Sequence, residues 1–173
     1  WRLIMQLQHD PVCLVRPRQA MATLDRSRYA PASGVARGAY VLGDTPSGEP
    51  ELILIATGTE VQLAVAAYEE LTAEGVGARA VSMPSWELFE RQPLEYRERV
   101  LPPEVTARIA IEQASTFGWE RYVGSGGRVI GMTTFGASAP LKDLQTKFGF
   151  TPDAVVGAAR ELVDVHAREL VSE

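Results

Sequence analysis

Residues 51–71 contain the feature that most restricts the fold, an apolar run followed by a glycine turn and a helical pattern. Residues 52–56 are continuously apolar, which is typical of a strand that is covered on both faces in a parallel sheet. Residues 61–71 repeat apolar side chains at helical spacing, and residues 78–83 are typical of a further strand. This order predicts a right-handed βαβ unit.

The turn of this unit carries a possible ligand site. We expect Thr59 to be the N-cap of the helix, Gly58 to supply the tight turn, and Glu60 to place negative charge near the helix amino end. Free backbone N–H groups at that end favour anions, so Thr57, Gly58 and Thr59 are a possible anion site. The turn lacks the G-x-G-x-x-G and P-loop patterns, and Glu60 would repel an anion. A capped turn without ligand is the favoured interpretation.

The rest of the chain predicts more strands and helices around this unit. Ser85 and Thr151 are predicted N-caps of two helices. The architecture we expect is a three-layer α/β/α sandwich with a mostly parallel sheet of about five strands, although the pattern does not define the strand order. The predicted strands are residues 12–15, 38–42, 51–56, 78–83, 107–112 and 127–132, and the predicted helices are residues 1–8, 59–71, 86–92, 94–100, 117–124, 141–148 and 152–170.

Composition excludes several classes of protein. With 46% hydrophobic and 23% charged residues and no apolar run near 18 residues, the 173-residue chain is expected to be soluble, without a membrane span. Cys13 is the only cysteine, which excludes an internal disulfide and favours the cytoplasm; its apolar surroundings predict a buried, inert thiol. Only two histidines are present, so a metal site has little support.

Basic residues are concentrated at the amino-terminal end. Residues 1–42 contain six arginines and two aspartates, whereas the whole chain has a net charge of −5. Because there are no lysine clusters or interleaved aromatic residues, and the rest of the chain is acidic, a nucleic-acid partner is not expected. A small anion or an acidic protein surface is the favoured partner of these arginines.

Two of these arginines are candidate ligands for an anion. Arg16 and Arg18 flank the rigid Pro17, so either could present a guanidinium fork to a phosphate or carboxylate. An ion pair between domains explains them equally well. His9 and His166 are far apart in sequence and lack a nearby nucleophile pattern, so solvated or packing roles are favoured.

Aromatic residues in the second half of the chain suggest a contact surface. Most of them fit a protein core, but Phe117 and Trp119, together with the loop that carries Phe135, could line a subunit contact, where aromatic residues are enriched.

Motifs along nearly the whole chain, in the same order, resemble those of the transketolase family. The first is Arg18-Gln19 followed by Thr23-Leu24-Asp25-Arg26, which resembles the family's S-R-Q-x-x-x-T-L-D-R segment with Pro17 in place of the serine. The others resemble the family's carboxyl-terminal domain and are residues 30–34 (APASG), 38–42 (GAYVL), 55–61 (IATGTEV), 81–85 (VSMPS), 131–140 (GMTTFGASAP) and 148–151 (FGFT).

The resemblance implies a domain organisation. Residues 1–20 would be the tail of the pyrimidine-binding domain, residues 21–37 an interdomain linker, and residues 38–173 the carboxyl-terminal domain. The sequence begins at Trp1 rather than at methionine, which predicts a processed protein or part of a longer one. Thiamine diphosphate and Mg²⁺ would lie between the first two domains, with the catalytic glutamate and histidines upstream of Trp1. Gly43-Asp44-Thr45 is not the G-D-G metal motif, so no catalytic, cofactor or metal residue is expected here.

The resemblance also implies a function. The full-length enzyme would be a cytoplasmic homodimer of the pentose phosphate pathway that moves a two-carbon ketol unit from a ketose phosphate to an aldose phosphate. This chain alone would be inactive and would serve domain packing and dimer assembly. Arg18 matches the arginine that grips the sugar phosphate, away from the reacting carbonyl. Two alternatives remain: a non-catalytic regulatory module that binds an anion or nucleotide, or the third domain of dihydroxyacetone synthase or deoxyxylulose-phosphate synthase.

Overall fold

The computed structural model describes the backbone of residues 2–171 and the side chains of residues 2–166. The described strands are Tyr40–Gly43 (β1), Leu52–Ala56 (β2), Ala78–Ser82 (β3), Arg108–Ser115 (β4) and Arg128–Met132 (β5). The described helices are Arg2–Gln6 (α1), Val61–Ala73 (α2), Trp86–Glu90 (α3), Leu94–Val100 (α4), Glu120–Val123 (α5), Leu141–Phe148 (α6) and Pro152–Val171 (α7).

The five strands form one mixed sheet in the order β1-β3-β2-β4-β5. Strand β2 is parallel to both β3 and β4, and β4 is parallel to β5, whereas β1 runs antiparallel to β3 at the edge. The chain passes from β2 through α2 to β3, and then crosses to the other side of β2 to form β4. The predicted βαβ unit and the mostly parallel sheet are confirmed.

Every residue of β2 is buried, because helices cover both faces of the sheet. Leu52 and Leu54 pack on one face with buried side chains of α2 and α7. Ile53 and Ile55 face the opposite core, which contains Phe89 of α3 and residues of α4 and α5. Alternate residues of one strand therefore enter two cores, and the expected three-layer arrangement is confirmed.

Two of the three predicted helix caps are confirmed. The Ser85 hydroxyl accepts a hydrogen bond from the Leu88 backbone N–H at 3.3 Å, and the Thr151 hydroxyl accepts one from Ala154 at 3.3 Å. The prediction for Thr59 is wrong. Residues 58–60 already form a 3₁₀ turn, and α2 starts after Glu60 without a side-chain cap. Thr59 therefore lies inside helical backbone, where its hydroxyl donates to the Glu60 carboxylate.

The amino-terminal region differs most from the prediction. Helix α1 agrees with the helical pattern of residues 1–8, but residues 12–15 form no strand. They pair with no neighbouring strand and are exposed, so apolar β-formers alone did not make a strand here. The predicted burial of Cys13 is wrong for the same reason, since its thiol is exposed.

Part of the predicted linker packs on the domain. Tyr29 is buried against Tyr40, Leu42 and Val65, and its hydroxyl donates to the Glu69 carboxylate. No helix within the described part of the chain is both long and apolar enough to cross a membrane.

Candidate functional site

A crevice of about 610 Å³ lies at the carboxyl ends of β2, β3 and β4. The strand order changes direction at β2, because the next strand along the chain, β3, lies on one side of β2 and β4 lies on the other side. Such a switch point is where parallel α/β sheets bind ligands. The domain side of the crevice is lined by the turn at residues 57–60, Ser85 and Glu112, and α1 and residues 12–17 line the opposite side.

Two carboxylates give the crevice its electrostatic character. Glu60 is 4% exposed and accepts the hydroxyl hydrogen bond of Thr59. Glu112 lies half-buried at the wall, where burial, and secondarily the charge of Glu60, raise its pKa from 4.5 to about 7. A buried carboxylate beside a second one attracts protons or cations and repels anions.

The possible anion site therefore lies in an acidic environment. Thr57, Gly58 and Thr59 all line the crevice, and Gly58 supplies the predicted turn with a φ of 55°. Their backbone lies beside the carboxylates of Glu60 and Glu112. The anion-site prediction remains untested, but this charge disfavours it.

The two candidate arginines lie on the segment that crosses this edge of the sheet. Arg16 and Pro17 line the crevice, while Arg18 is exposed beyond it. Within the described residues, neither Arg16 nor Arg18 makes an ion pair or a side-chain hydrogen bond. The Arg18 guanidinium is therefore accessible to a ligand, and the structure does not bring it together with the turn at residues 57–60.

A second cavity, of about 240 Å³, lies at the far end of the same segment. Gln19 lines it together with Gln113 at the end of β4, Met132 at the end of β5, and residues of the following loop and of α6. Sequence reasoning missed both Gln19 and Glu112 as parts of a site. The signal was present, because Gln19 follows Arg18 in the S-R-Q-like motif and Glu112 follows the apolar residues 109–111.

Asp44 serves the structure of the domain. Its two carboxylate oxygens accept hydrogen bonds from Nε and Nη2 of Arg79, each at 2.9 Å. Among the described residues, no three His, Cys, Asp or Glu side chains come close enough together to hold a metal ion. The part of the chain that the structure describes therefore offers no cluster of such side chains to Mg²⁺.

The other singled-out residues do not converge on one centre. His9 is exposed, and the Nδ1 atom of His166 lies 2.8 Å from the Leu162 carbonyl on the same helix, which is a packing arrangement. Trp119 is only 2% exposed and packs edge-on against Trp86, so its predicted place in a subunit contact is wrong. Its aromatic neighbours fix it in the core.

Phe117 and Phe135 remain candidates for a contact surface. They are 85% and 98% exposed, respectively. Their place in a subunit contact stays a prediction.

Comparison with known proteins matches this fold and these motifs to one family. The family model for the transketolase-like C-terminal domain matches residues 38–151. The chain is 53% identical over 163 residues to Transketolase 1 of Escherichia coli (strain K12), which covers 94% of this chain and 24% of that protein. It thus spans about a quarter of the length of this relative.

Solved structures agree with this match. A transketolase from Leishmania mexicana is 44% identical with a TM-score of 0.70, covering 76% of this chain and 19% of that one. A Pichia stipitis transketolase in complex with sedoheptulose-7-phosphate is 33% identical with a TM-score of 0.73, covering 81% of this chain and 20% of that one.

Proposed function

The chain belongs to the transketolase family, in which it matches the carboxyl-terminal portion, and we propose that its full-length protein transfers a two-carbon ketol unit between sugar phosphates. The donor is a ketose phosphate and the acceptor an aldose phosphate. The observation that carries this proposal is the identity of 53% to a transketolase across 94% of the chain.

Within this reaction the role we propose for the chain's own chemistry is phosphate binding by Arg18. The Arg18 side chain is exposed and unpaired within the described residues, as a ligand-binding guanidinium must be. A planar fork of N–H donors matches the oxygens of a phosphate. A related transketolase is known in complex with a sugar phosphate, which supports this class of ligand.

Thiamine diphosphate and Mg²⁺ belong, in this proposal, to the part of the full-length protein outside these 173 residues. Asp44 is held by Arg79, and no described cluster of carboxylates, histidines or thiols competes for the metal. The bound cofactor would supply the carbanion chemistry of ketol transfer. The residues of this chain would bind the substrate phosphate and bury surface against the other domains.

The domain division is also proposed. The family match begins at residue 38, which supports a linker that ends at residue 37 and a carboxyl-terminal domain at residues 38–173. Residues 1–20 would then extend from the pyrimidine-binding domain across the carboxyl edge of the sheet.

We further propose that the full-length enzyme is a cytoplasmic homodimer of the pentose phosphate pathway. Exposed apolar side chains on this chain, Phe117 and Phe135 among them, support its burial against other domains or a second subunit. A single cysteine, exposed at Cys13, fits a reducing compartment.

The alternative functions receive less support. A regulatory module that binds an anion or nucleotide at Thr57, Gly58 and Thr59 would place its ligand beside Glu60 and Glu112, against electrostatic repulsion. The third domain of dihydroxyacetone synthase or deoxyxylulose-phosphate synthase is disfavoured by the high identity to transketolase.

Ketol transfer by the protein purified from its host tests the proposal. With thiamine diphosphate and Mg²⁺, we expect transfer from a ketose phosphate to an aldose phosphate, and loss of activity when a chelator removes the metal. The separate 173-residue chain should have no activity under the same conditions. Absence of ketol transfer in the full-length protein with both cofactors present would refute the proposal.

A further inference from the structure

Gln19 differs from every neighbour in the segment that crosses the carboxyl edge of the sheet. Residues 8–18 and 20–23 are all exposed, whereas Gln19 is half-buried. A stretch without regular structure has no backbone ladder to hold it in place. Apart from the exposed ion pair of Asp10 with Arg91, its one partly buried side chain is the point at which we expect it to be attached to the domain.

The cavity that Gln19 lines is built from several elements of the domain. Gln113 and Met132 come from the ends of β4 and β5, Ala137 from the loop that follows β5, and Leu141 and Leu144 from α6. The apolar wall suits the methylene groups of a glutamine, and Gln113 places a second amide, which can donate and accept hydrogen bonds, in the same lining. These elements converge on Gln19 only in the folded domain.

Arg18 precedes Gln19 directly and follows Pro17. Consecutive Cα atoms are about 3.8 Å apart, so fixing Gln19 also fixes the backbone from which the Arg18 side chain extends. On its other side, Pro17 restricts the chain through its locked φ. The Arg18 side chain itself is exposed. The backbone at Arg18 is thus restricted by both of its neighbours, while its guanidinium stays accessible.

We propose that Gln19 is a positioning residue for Arg18, through which the carboxyl-terminal domain sets the position of the phosphate-binding guanidinium. This inference rests on the proposed function of Arg18. Binding a phosphate requires the guanidinium to be ordered. An anchor on the neighbouring residue reduces the conformational entropy that the Arg18 segment loses on binding. The carboxyl-terminal domain would then contribute to substrate selection without contacting the reacting atoms.

Steady-state kinetics of the full-length enzyme test this inference. We expect Gln19→Ala to raise KM for a ketose phosphate, and Ki for inorganic phosphate, about 3- to 10-fold. KM for an unphosphorylated ketol donor and kcat at saturation should stay unchanged. Gln8→Ala, an exposed glutamine of the same segment, is the matched control and should change none of these. A purely structural role would affect both donors equally, and that result would overturn the inference.

A second variant changes the domain side of the cavity that Gln19 lines. Gln113→Ala removes the amide of the cavity wall, and we expect it to weaken inorganic phosphate binding as Gln19→Ala does. The double variant should be no worse than Gln19→Ala alone, whereas additive effects would argue against a shared anchor. If Arg18→Ala removes the preference for phosphorylated donors while Gln19→Ala and Gln113→Ala do not, only this inference fails. If Arg18→Ala leaves that preference intact, the proposed role of Arg18 fails first.

Discussion

Arg79 of β3 and Asp44 after β1 form a two-point ion pair in which Nε and Nη2 each donate to one carboxylate oxygen at 2.9 Å. The Arg79 side chain is 5% exposed, and it also donates to the backbone carbonyls of Gly48, Arg99 and Val100. One guanidinium thus joins the edge of the sheet to the end of α4. Loss of this contact would leave the half-buried Asp44 carboxylate and the buried Val100 carbonyl without these donors.

We expect Arg79→Leu to lower the free energy of unfolding by about 1.5–3 kcal/mol, because it removes charged hydrogen bonds from half-buried acceptors. Urea denaturation of the 173-residue chain measures this loss. Arg128→Leu is the control, since it removes the exposed pair with Glu161 and should cost less than about 1 kcal/mol. Equal losses in the two variants would show that the Arg79 network does not stabilise the domain.

Glu112 should make stability depend on pH. Its pKa is raised from 4.5 to about 7 in the folded state by burial and by Glu60. The folded state therefore holds the proton more tightly than the unfolded state, so the stabilisation is complete below about pH 4.5 and is lost as the pH rises through about 7. Glu112→Gln should stabilise the chain at pH 8 by about 1–2 kcal/mol, allowing for partial solvent contact, and have little effect at pH 4.5.

Unfolding curves of Glu112→Gln and of the unmodified chain at both pH values check this expectation. Glu98→Gln, on the exposed side of α4, serves as the control and should show no such difference between pH 4.5 and pH 8. A Glu112→Gln variant that is less stable than the unmodified chain at pH 8 would mean that a cation or hydrogen-bond donor compensates this carboxylate.

Substitution by alanine should have opposite effects on stability at Gly127 and Gly157. A Cβ at Gly127 would lie 2.4 Å from the Val123 carbonyl oxygen and 2.7 Å from that of Arg108, whereas a Cβ at Gly157 on α7 would meet nothing within 4 Å. We expect Gly127→Ala to destabilise the chain by about 2 kcal/mol because backbone must move. Gly157→Ala should stabilise it by about 0.5–1 kcal/mol through helix propensity. Thermal unfolding of both variants measures the difference, and a harmless Gly127→Ala would contradict the close packing at the start of β5.

Arg18→Ala in the full-length enzyme should raise KM for phosphorylated substrates at least about 10-fold, which corresponds to about 1.5–3 kcal/mol of lost charged hydrogen bonds. Arg18→Lys should recover part of the loss, because it keeps the charge but not the fork. Arg2→Ala, an exposed arginine on α1, is the control. An unchanged KM for the sugar phosphate in Arg18→Ala would remove Arg18 from the site.

The central sheet could be predicted from the sequence because its signals are local. The apolar run of β2, the helical spacing of α2 and the cap at Ser85 each depend on a few neighbouring residues. The strand prediction at residues 12–15 failed because apolar β-formers there have no strand partner within the described chain. The strand order could not be predicted from local signals, because it depends on pairing between segments that are distant in the sequence.

The candidate site was less predictable for the same reason. Glu60 and Glu112 are 52 positions apart in the sequence, and only the parallel pairing of β2 with β4 brings them to one crevice. Gln19 became a candidate only because it is half-buried and lines a cavity together with the ends of β4 and β5. Arg18 was found through a motif, since its exposed side chain makes no described contact that would mark it.

The most direct test of the central claim is the intact mass of the species that carries ketol-transfer activity in the host. We expect activity with thiamine diphosphate and Mg²⁺ to co-purify with a polypeptide several times the 18.8 kDa of this chain, and peptides of residues 1–173 to be found within it. Activity in a species whose polypeptides contain none of these residues, or an active 18.8 kDa chain alone, would contradict the assignment of this chain as the carboxyl-terminal part of a larger transketolase.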